Sequence, residues 1–319
     1  MEQMLLEIGV FLFGLWLLAF SSDKSIDVAA RLAATANIPP LLIGIVVLSM
    51  GTSLPEISNS VISTLSGHPD MNVGNIFGSA LSQITLIMGI SVLLGGAIHE
   101  GRRDVMLLGG CAIIAAMLAL FVVESGDISR LDSLFLITSY CILIFISNKY
   151  TVKEYAHPEG IEAKKFWPWK DRFVGVGKML FFMLGVIVGA ILVVDSAVSV
   201  SEEIGIPSYI ISFFAVAIGT SLPELFVCIS AIRKKQGELA IGNILGSNIT
   251  DTTLALAAGP LLMPGAIPYA GIAIGTGQYM VIASILAVAL FVWRAKLDKK
   301  AAIVLIVMYF ASYLFLLGL

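Results

Sequence analysis

The chain has 319 residues, of which 58% are hydrophobic and 13% charged, with a formal net charge of −3. Soluble domains carry about 45–50% apolar and about 25% charged residues. An ordinary soluble enzyme, a disordered chain and a nucleic-acid binder are therefore excluded, and a polytopic membrane protein remains, in keeping with a mean hydropathy of +0.97.

A spanning helix needs about 20 apolar residues. In chain order, apolar runs predict spans at 4–36, 39–66, 71–97, 103–123, 130–150, 172–204, 207–232, 238–264, 274–294 and 301–318. The first follows Met1-Glu2-Gln3-Met4, which has no basic leader region, so it reads as a retained helix rather than a signal peptide. The first and sixth spans are long. Asp23, Lys24, Asp27 and Arg31 near the end of the first predict tilt or extension past the bilayer. The loop at 151–171, with Pro158, Gly160, Trp167, Pro168 and Trp169, reads as a cytoplasmic connector with interfacial tryptophans. Cys111, Cys141 and Cys228 are scattered through apolar runs, so they make neither a disulfide framework nor a metal cluster.

Lys and Arg collect in cytoplasmic loops. With both termini outside, 18 of the 19 basic residues fall on the inside, and only Arg130 falls outside. Asp70, Glu124, Asp127, Asp132, Glu202 and Glu203 fall outside. The expected localisation is a plasma or inner membrane, crossed ten times.

Shifted by 168 residues, the chain matches itself. Gly51-Thr52-Ser53-Leu54-Pro55-Glu56 lies over Gly219-Thr220-Ser221-Leu222-Pro223-Glu224, and Gly74-Asn75-Ile76-Phe77-Gly78-Ser79 over Gly242-Asn243-Ile244-Leu245-Gly246-Ser247. Asp27 lies over Asp195, and Ile38-Pro39 over Ile206-Pro207. The fold predicted is all-α: two five-helix repeats, 1–150 and 172–319, joined by the connector. Five is odd, so the second repeat enters the membrane from the opposite side. Such inverted repeats serve alternating access, with the substrate site near the midplane.

Pro55 and Pro223 cannot donate to the carbonyls of Gly51 and Gly219, so both helices should break beside Glu56 and Glu224. Irregular backbone at that depth survives only where it lines a cavity or is buried in protein. In the following helices Asn75, Ser79 and Gln83, and likewise Asn243, Ser247 and Asp251, form polar stripes. Gly74, Gly78, Gly242 and Gly246 should allow close helix approach. Carboxylate, hydroxyl, amide and carbonyl oxygens suit a hard cation such as calcium, which takes about 6–8 oxygens. No His or Cys falls in the matched segments, which argues against zinc, copper or iron. His68, His99 and His157 read as solvated, and Asp27 and Asp195 as hydrated residues outside the site. Each midplane acid costs about 2.5–3.5 kcal/mol, and a cation is the natural counter-charge for Glu56, Glu224 and Asp251.

The duplicated GTSLPE and GNxxGS segments resemble the two alpha repeats of the cation/calcium exchanger superfamily, above all prokaryotic sodium/calcium exchangers, over 39–96 and 207–264. The resemblance implies an antiporter, not an enzyme, with no resident cofactor and with calcium and sodium as transported ions. Its implied ligands are the side chains of Thr52, Ser53, Glu56, Ser79, Thr220, Ser221, Glu224, Ser247 and Asp251 and the backbone carbonyls of Ser49 and Ala217. Gln83 stands where the family commonly has Asn or Asp, and Ala80 stands where Asn248 stands in the second repeat. The expected partners are the two ions and the lipid bilayer, with no nucleic acid and the chain taken as a monomer.

Three alternatives stay open. A proton/calcium antiporter uses the same carboxylates, although the neutral Gln83 favours sodium. A cation channel usually needs symmetric subunits around a pore. An intramembrane protease fits poorly with so many hydroxyl ligands.

Overall fold

The computed structural model describes residues 2–36, 40–65, 67, 69–99, 101–152, 169–204, 217–267 and 270–317. These residues form ten helical segments. The first repeat holds α1 (Glu2–Ala36), α2 (Pro40–Ile43, Gly44–Leu48, Ser49–Thr52 and Leu54–Leu65 in succession), α3 (Pro69–Ser82, Gln83–Ile87 and Met88–Gly95), α4 (Arg102–Glu124) and α5 (Arg130–Val152). The second holds α6 (Trp169–Ile204), α7 (Ala217–Thr220 and Leu222–Arg233), α8 (Gly237–Thr250, Asp251–Ala255 and Leu256–Leu262), α9 (Ala270–Arg294) and α10 (Lys299–Leu317). Five of the described segments are by length and composition apolar enough to cross a membrane (Pro40–Leu65, Asn72–Gly95, Arg102–Glu124, Arg130–Lys149 and Ala270–Arg294).

Trp169, at the end of the expected connector, is the first residue of α6. Pro158, Gly160, Trp167, Pro168, His68, His157, Ile38-Pro39 and Ile206-Pro207 lie outside the described residues. His99 is exposed, as expected.

Packing follows the duplication. α1 pairs with its repeat partner α6, and α4 with its partner α9. Further contacts also cross between the halves, α2 lying along α8 and α7 along α3, while α2–α3 and α7–α8 pack within their own repeats. Two loop pairings fit the same symmetry. Asp127–Ile128 (β1) pairs antiparallel with Gly265–Ala266 (β2), and Ile98 bridges Leu297. Each pairing joins loops that the alternating count puts on one side of the membrane.

The core is layered. Phe77, Ile26, Ile45, Leu48 and Ile76 are fully buried, whereas Leu131, Trp293, Phe121 and Phe145 point outward. Large exposed apolar side chains are costly in water but suit lipid.

Close approach depends on glycine where α2 crosses α8. A Cβ on Gly44 would meet Leu239 O at 2.8 Å, and one on Gly242 would meet Leu41 O at 2.5 Å. A Cβ on Gly246 would meet Ile45 Cα at 2.8 Å and Ser49 Cβ at 2.9 Å. Gly242 and Gly246 thus act as the sequence predicts. Gly74 does not: nothing lies within 4 Å of where its Cβ would stand, because that side of α3 faces outward.

Candidate ion-binding site

Both matched helices break at the serine two residues before the proline. Ser53 has φ −81° and ψ 2°, and Ser221 has φ −90° and ψ 3°. These angles lie in the sparsely populated bridge region. Pro55 and Pro223 leave the Gly51 and Gly219 carbonyls without their usual donor. Helix resumes at Leu54 and Leu222, which puts Glu56 and Glu224 in the first turn of a new half-helix. A helix N-terminus favours negative charge, so the break itself creates a place for each acid. Against the first break sits Met183 of α6, whose side chain occupies the space a Cβ on Gly51 would need.

The polar side chains from both halves converge in the interior. Ser49, Thr52, Ser53, Glu56, Ser79, Gln83, Ser221, Glu224, Ser247 and Asp251 are all fully buried, and Thr220 is half-buried. Ala217 opens the described part of α7. Thr52 Oγ1 lies 3.2 Å from Ser247 Oγ, and its repeat equivalent, Thr220 Oγ1, lies 3.3 Å from Ser79 Oγ. Each broken helix therefore docks on the striped helix of the opposite half by the same hydroxyl pair. Beyond that the halves differ. Thr52 also donates to Asn243 Oδ1 at 3.3 Å, while both side-chain polar atoms of Asn75 lack a protein partner.

The acids are only partly satisfied by protein. Ser247 Oγ donates to Glu224 Oε1 at 3.4 Å. Glu224 Oε2, both carboxyl oxygens of Glu56, Asp251 Oδ1 and Ser53 Oγ are buried without a hydrogen-bond partner. Buried polar atoms are normally paired, and a cluster of orphans needs an explanation. Among the described residues no three His, Cys, Asp or Glu side chains group tightly enough to cage one metal ion. A cation here would have to draw on hydroxyl, amide and carbonyl oxygens as well as acids. The Ser49 carbonyl already accepts from Ser53 N at 2.9 Å and Thr52 Oγ1 at 3.3 Å, and Ser49 Oγ donates to Ile45 O.

Gln83 and Asp251, equivalent positions of the two repeats, touch directly. Gln83 Nε2 donates to Asp251 Oδ2 at 2.8 Å, and Asn248 Nδ2 donates to Gln83 Oε1 at 3.0 Å. Both Gln83 and Asp251 start a single wide π turn, Gln83–Ile87 and Asp251–Ala255, at the same offset of the duplication. Such bulges occur frequently at functional sites. A third wide turn, Gly44–Leu48, leads into Ser49. Asn248 and Ser82, whose Oγ lies 3.4 Å from Ser221 Oγ, belong to the network but were missed from sequence. The signal for Asn248 was its polarity opposite Ala80.

Two inverted repeats, two broken helices and a buried set of partnerless oxygens define a secondary transporter for cations. The model of the sodium/calcium exchanger protein family matches residues 6–149 and 174–318, and the chain belongs to that family. It is 32% identical over 274 residues to the inner membrane protein YrbG of Escherichia coli (strain K12), covering 83% of this chain and 82% of the relative. It is 25% identical over 342 residues to the sodium/calcium exchanger MaX1 of Methanosarcina acetivorans, covering 97% of each. Its fold is similar to that of the sodium-calcium exchanger NCX_Mj soaked with 10 mM Na+ and zero Ca2+, with a TM-score of 0.80, 29% identity and coverage of 97% of this chain and 98% of that one. The chain is a multi-pass membrane protein of ten helices in two inverted repeats, and a transporter rather than an enzyme.

Proposed function

We propose that the chain exchanges calcium for sodium across a plasma or inner membrane by alternating access, with the repeats 1–150 and 172–319 as the two moving halves. The observation that carries this reading is the interior set of carboxyl oxygens on Glu56, Glu224 and Asp251 that no protein donor satisfies. Calcium takes about 6–8 oxygens in flexible geometry, and both repeats contribute hydroxyl and amide oxygens beside the acids. Glu56 and Glu224, one from each broken helix, serve as the direct charged ligands of calcium. Thr52, Ser53, Ser79, Thr220, Ser221 and Ser247, with the backbone carbonyls of Ser49 and Ala217, complete the calcium and sodium positions. In the conformation described, the Ser49 carbonyl becomes available only when Thr52 Oγ1 turns away. Gln83 and Asp251 form the remaining position, which serves sodium.

The test is counterflow. Sodium-loaded vesicles bearing the purified protein should take up calcium, and uptake should stop when the outward sodium gradient is collapsed. A pH gradient alone should drive none; equal uptake under that gradient would replace sodium with protons. Both termini face outside and the connector faces the cytoplasm in this reading. An impermeant thiol reagent applied to whole cells should therefore leave a cysteine placed in that connector unlabelled.

A further inference from the structure

α1 and α6 run antiparallel over 35 and 36 residues. At about 1.5 Å per residue each is roughly 52–54 Å long, more than the roughly 40–45 Å of a bilayer with its headgroups. Near the end that α1 and α6 share, a cleft of about 560 Å³ opens between them, with Lys24, Asp27 and Arg31 on one wall and Lys178, Phe181 and Phe182 on the other. Lys24 lies 12 residues before the end of α1 and Lys178 nine after the start of α6. This places the cleft roughly 14–18 Å inside the helix ends, level with the boundary between headgroups and acyl chains.

The charges in this cleft do not cancel. Asp27 Oδ1 is taken up at 2.9 Å by Nζ of Lys234, the residue that follows α7. Among the described residues neither Lys24 nor Lys178 pairs with an acid, so the cleft presents cationic donors. Lys24 Nζ stands 5.8 Å from the ring centre of Phe20. Deeper along α6 than Lys178, Phe181 is 70% exposed and Leu184 57% exposed, facing the lipid. A wall of donors at headgroup depth with an apolar flank below matches a phosphate that carries acyl chains. By the charge asymmetry of the loops this is also the cytoplasmic side, where the leaflet is anionic.

We propose that this cleft binds the headgroup of an anionic phospholipid through Lys24 and Lys178. Its phosphate chemistry is shared with free phosphate, so the experiment separates the two. The full chain, purified in detergent, is equilibrated with mixed phosphatidylcholine and phosphatidylglycerol, and the retained lipid is measured by mass spectrometry. This readout does not depend on exchange activity. Wild type should enrich phosphatidylglycerol. Each cation near an anionic surface contributes about fivefold, so the Lys24→Gln/Lys178→Gln pair should lose roughly thirtyfold of that preference, while Lys24→Arg/Lys178→Arg keeps it. Should the neutral pair not purify as a homogeneous species, Lys178→Gln alone should lose about fivefold. Undiminished enrichment in the neutral variants, or its loss in the arginine pair, overturns the site. Displacement of phosphatidylglycerol by excess inorganic phosphate overturns the lipid as its occupant.

Discussion

Glu56→Gln tests the charge assignment most directly. Both carboxyl oxygens of Glu56 are buried without a partner, and glutamine keeps the side-chain volume, so the ion-free fold has no hydrogen bond to lose. On the proposed assignment, what disappears is one of the two charges facing calcium. Removing one partner of a buried ion pair costs about 3–5 kcal/mol. At about 1.4 kcal/mol per tenfold, that weakens calcium binding by roughly two to four orders of magnitude. At a free calcium concentration about 100 times the wild-type dissociation constant, the ion stabilises wild type by about 2.7 kcal/mol. The same calcium stabilises the variant by about 0.3 kcal/mol or less. The assay is thermal unfolding in detergent, followed by tryptophan fluorescence, with chelator and with calcium. Wild type and variant should unfold at nearly the same temperature in chelator, and only wild type should shift with calcium. Calcium exchange in vesicles should vanish in parallel. A full calcium shift in the variant would refute Glu56 as a direct charged ligand. Glu224→Gln should behave alike, since the amide oxygen still accepts from Ser247.

Three further outcomes are expected. Asp251→Asn keeps an oxygen to accept from Gln83 and removes a charge that, on the proposed assignment, the two glutamates make unnecessary for calcium. Calcium/calcium exchange should suffer much less than in Glu56→Gln, while sodium-coupled flux falls. Equal collapse of both fluxes would make Asp251 a charged calcium ligand. Gly246→Ala drives a methyl into Ile45 and Ser49 and should destabilise the protein by about 1–3 kcal/mol, read as a lowered unfolding temperature in chelator; an unchanged melt would show that α2 and α8 can separate freely. Asp298, between α9 and α10, accepts from the Ala301 backbone N–H at 3.1 Å and from Arg294 at 2.6 Å, which hold its pKa at about 2, below the ordinary 3.8. A depressed carboxyl pKa stabilises the fold above its ordinary value and stops doing so as pH falls through the folded one. Asp298→Asn should therefore lower the melting temperature at neutral pH, with the difference fading between about pH 4 and pH 2; a gap of constant size would be wrong for this mechanism.

Much of the site was legible because it is written twice. The offset of 168 residues, the prolines beside Glu56 and Glu224, and the stripes through Ser79 and Ser247 each have a local chemical meaning that survives folding. The wide turns at Gln83 and Asp251 were not legible. One extra residue in a turn leaves the apolar pattern of an otherwise hydrophobic helix unchanged. The Gln83–Asp251 hydrogen bond was hidden for another reason. Spacing identifies the two as equivalent positions, but it cannot tell that the longer glutamine reaches across to the acid. Gly74 shows the reverse error: its counterpart Gly242 packs closely against α2, whereas Gly74 itself has nothing within 4 Å of its missing Cβ. Asn248 escaped because its partner position, Ala80, carries no polar atom.

The ion pair between Lys234 and Asp27 has no mirror image. Moving each residue by the repeat offset gives Ser66 and Asp195, which cannot form one. In a transporter whose halves simply trade conformations, the outward-open and inward-open forms would be degenerate. A contact present at one end of the bundle alone lifts that degeneracy. The side chains of Lys234 and Asp27 are 28% and 46% exposed, which puts the pair in the range of about 0.2–1 kcal/mol. That is a population bias of roughly 1.4- to 5-fold toward whichever form keeps α1 and α7 together. On the proposed alternating-access reading, the resting orientation is thus biased by a lysine outside the buried oxygen set, on a surface that the duplication left unmatched.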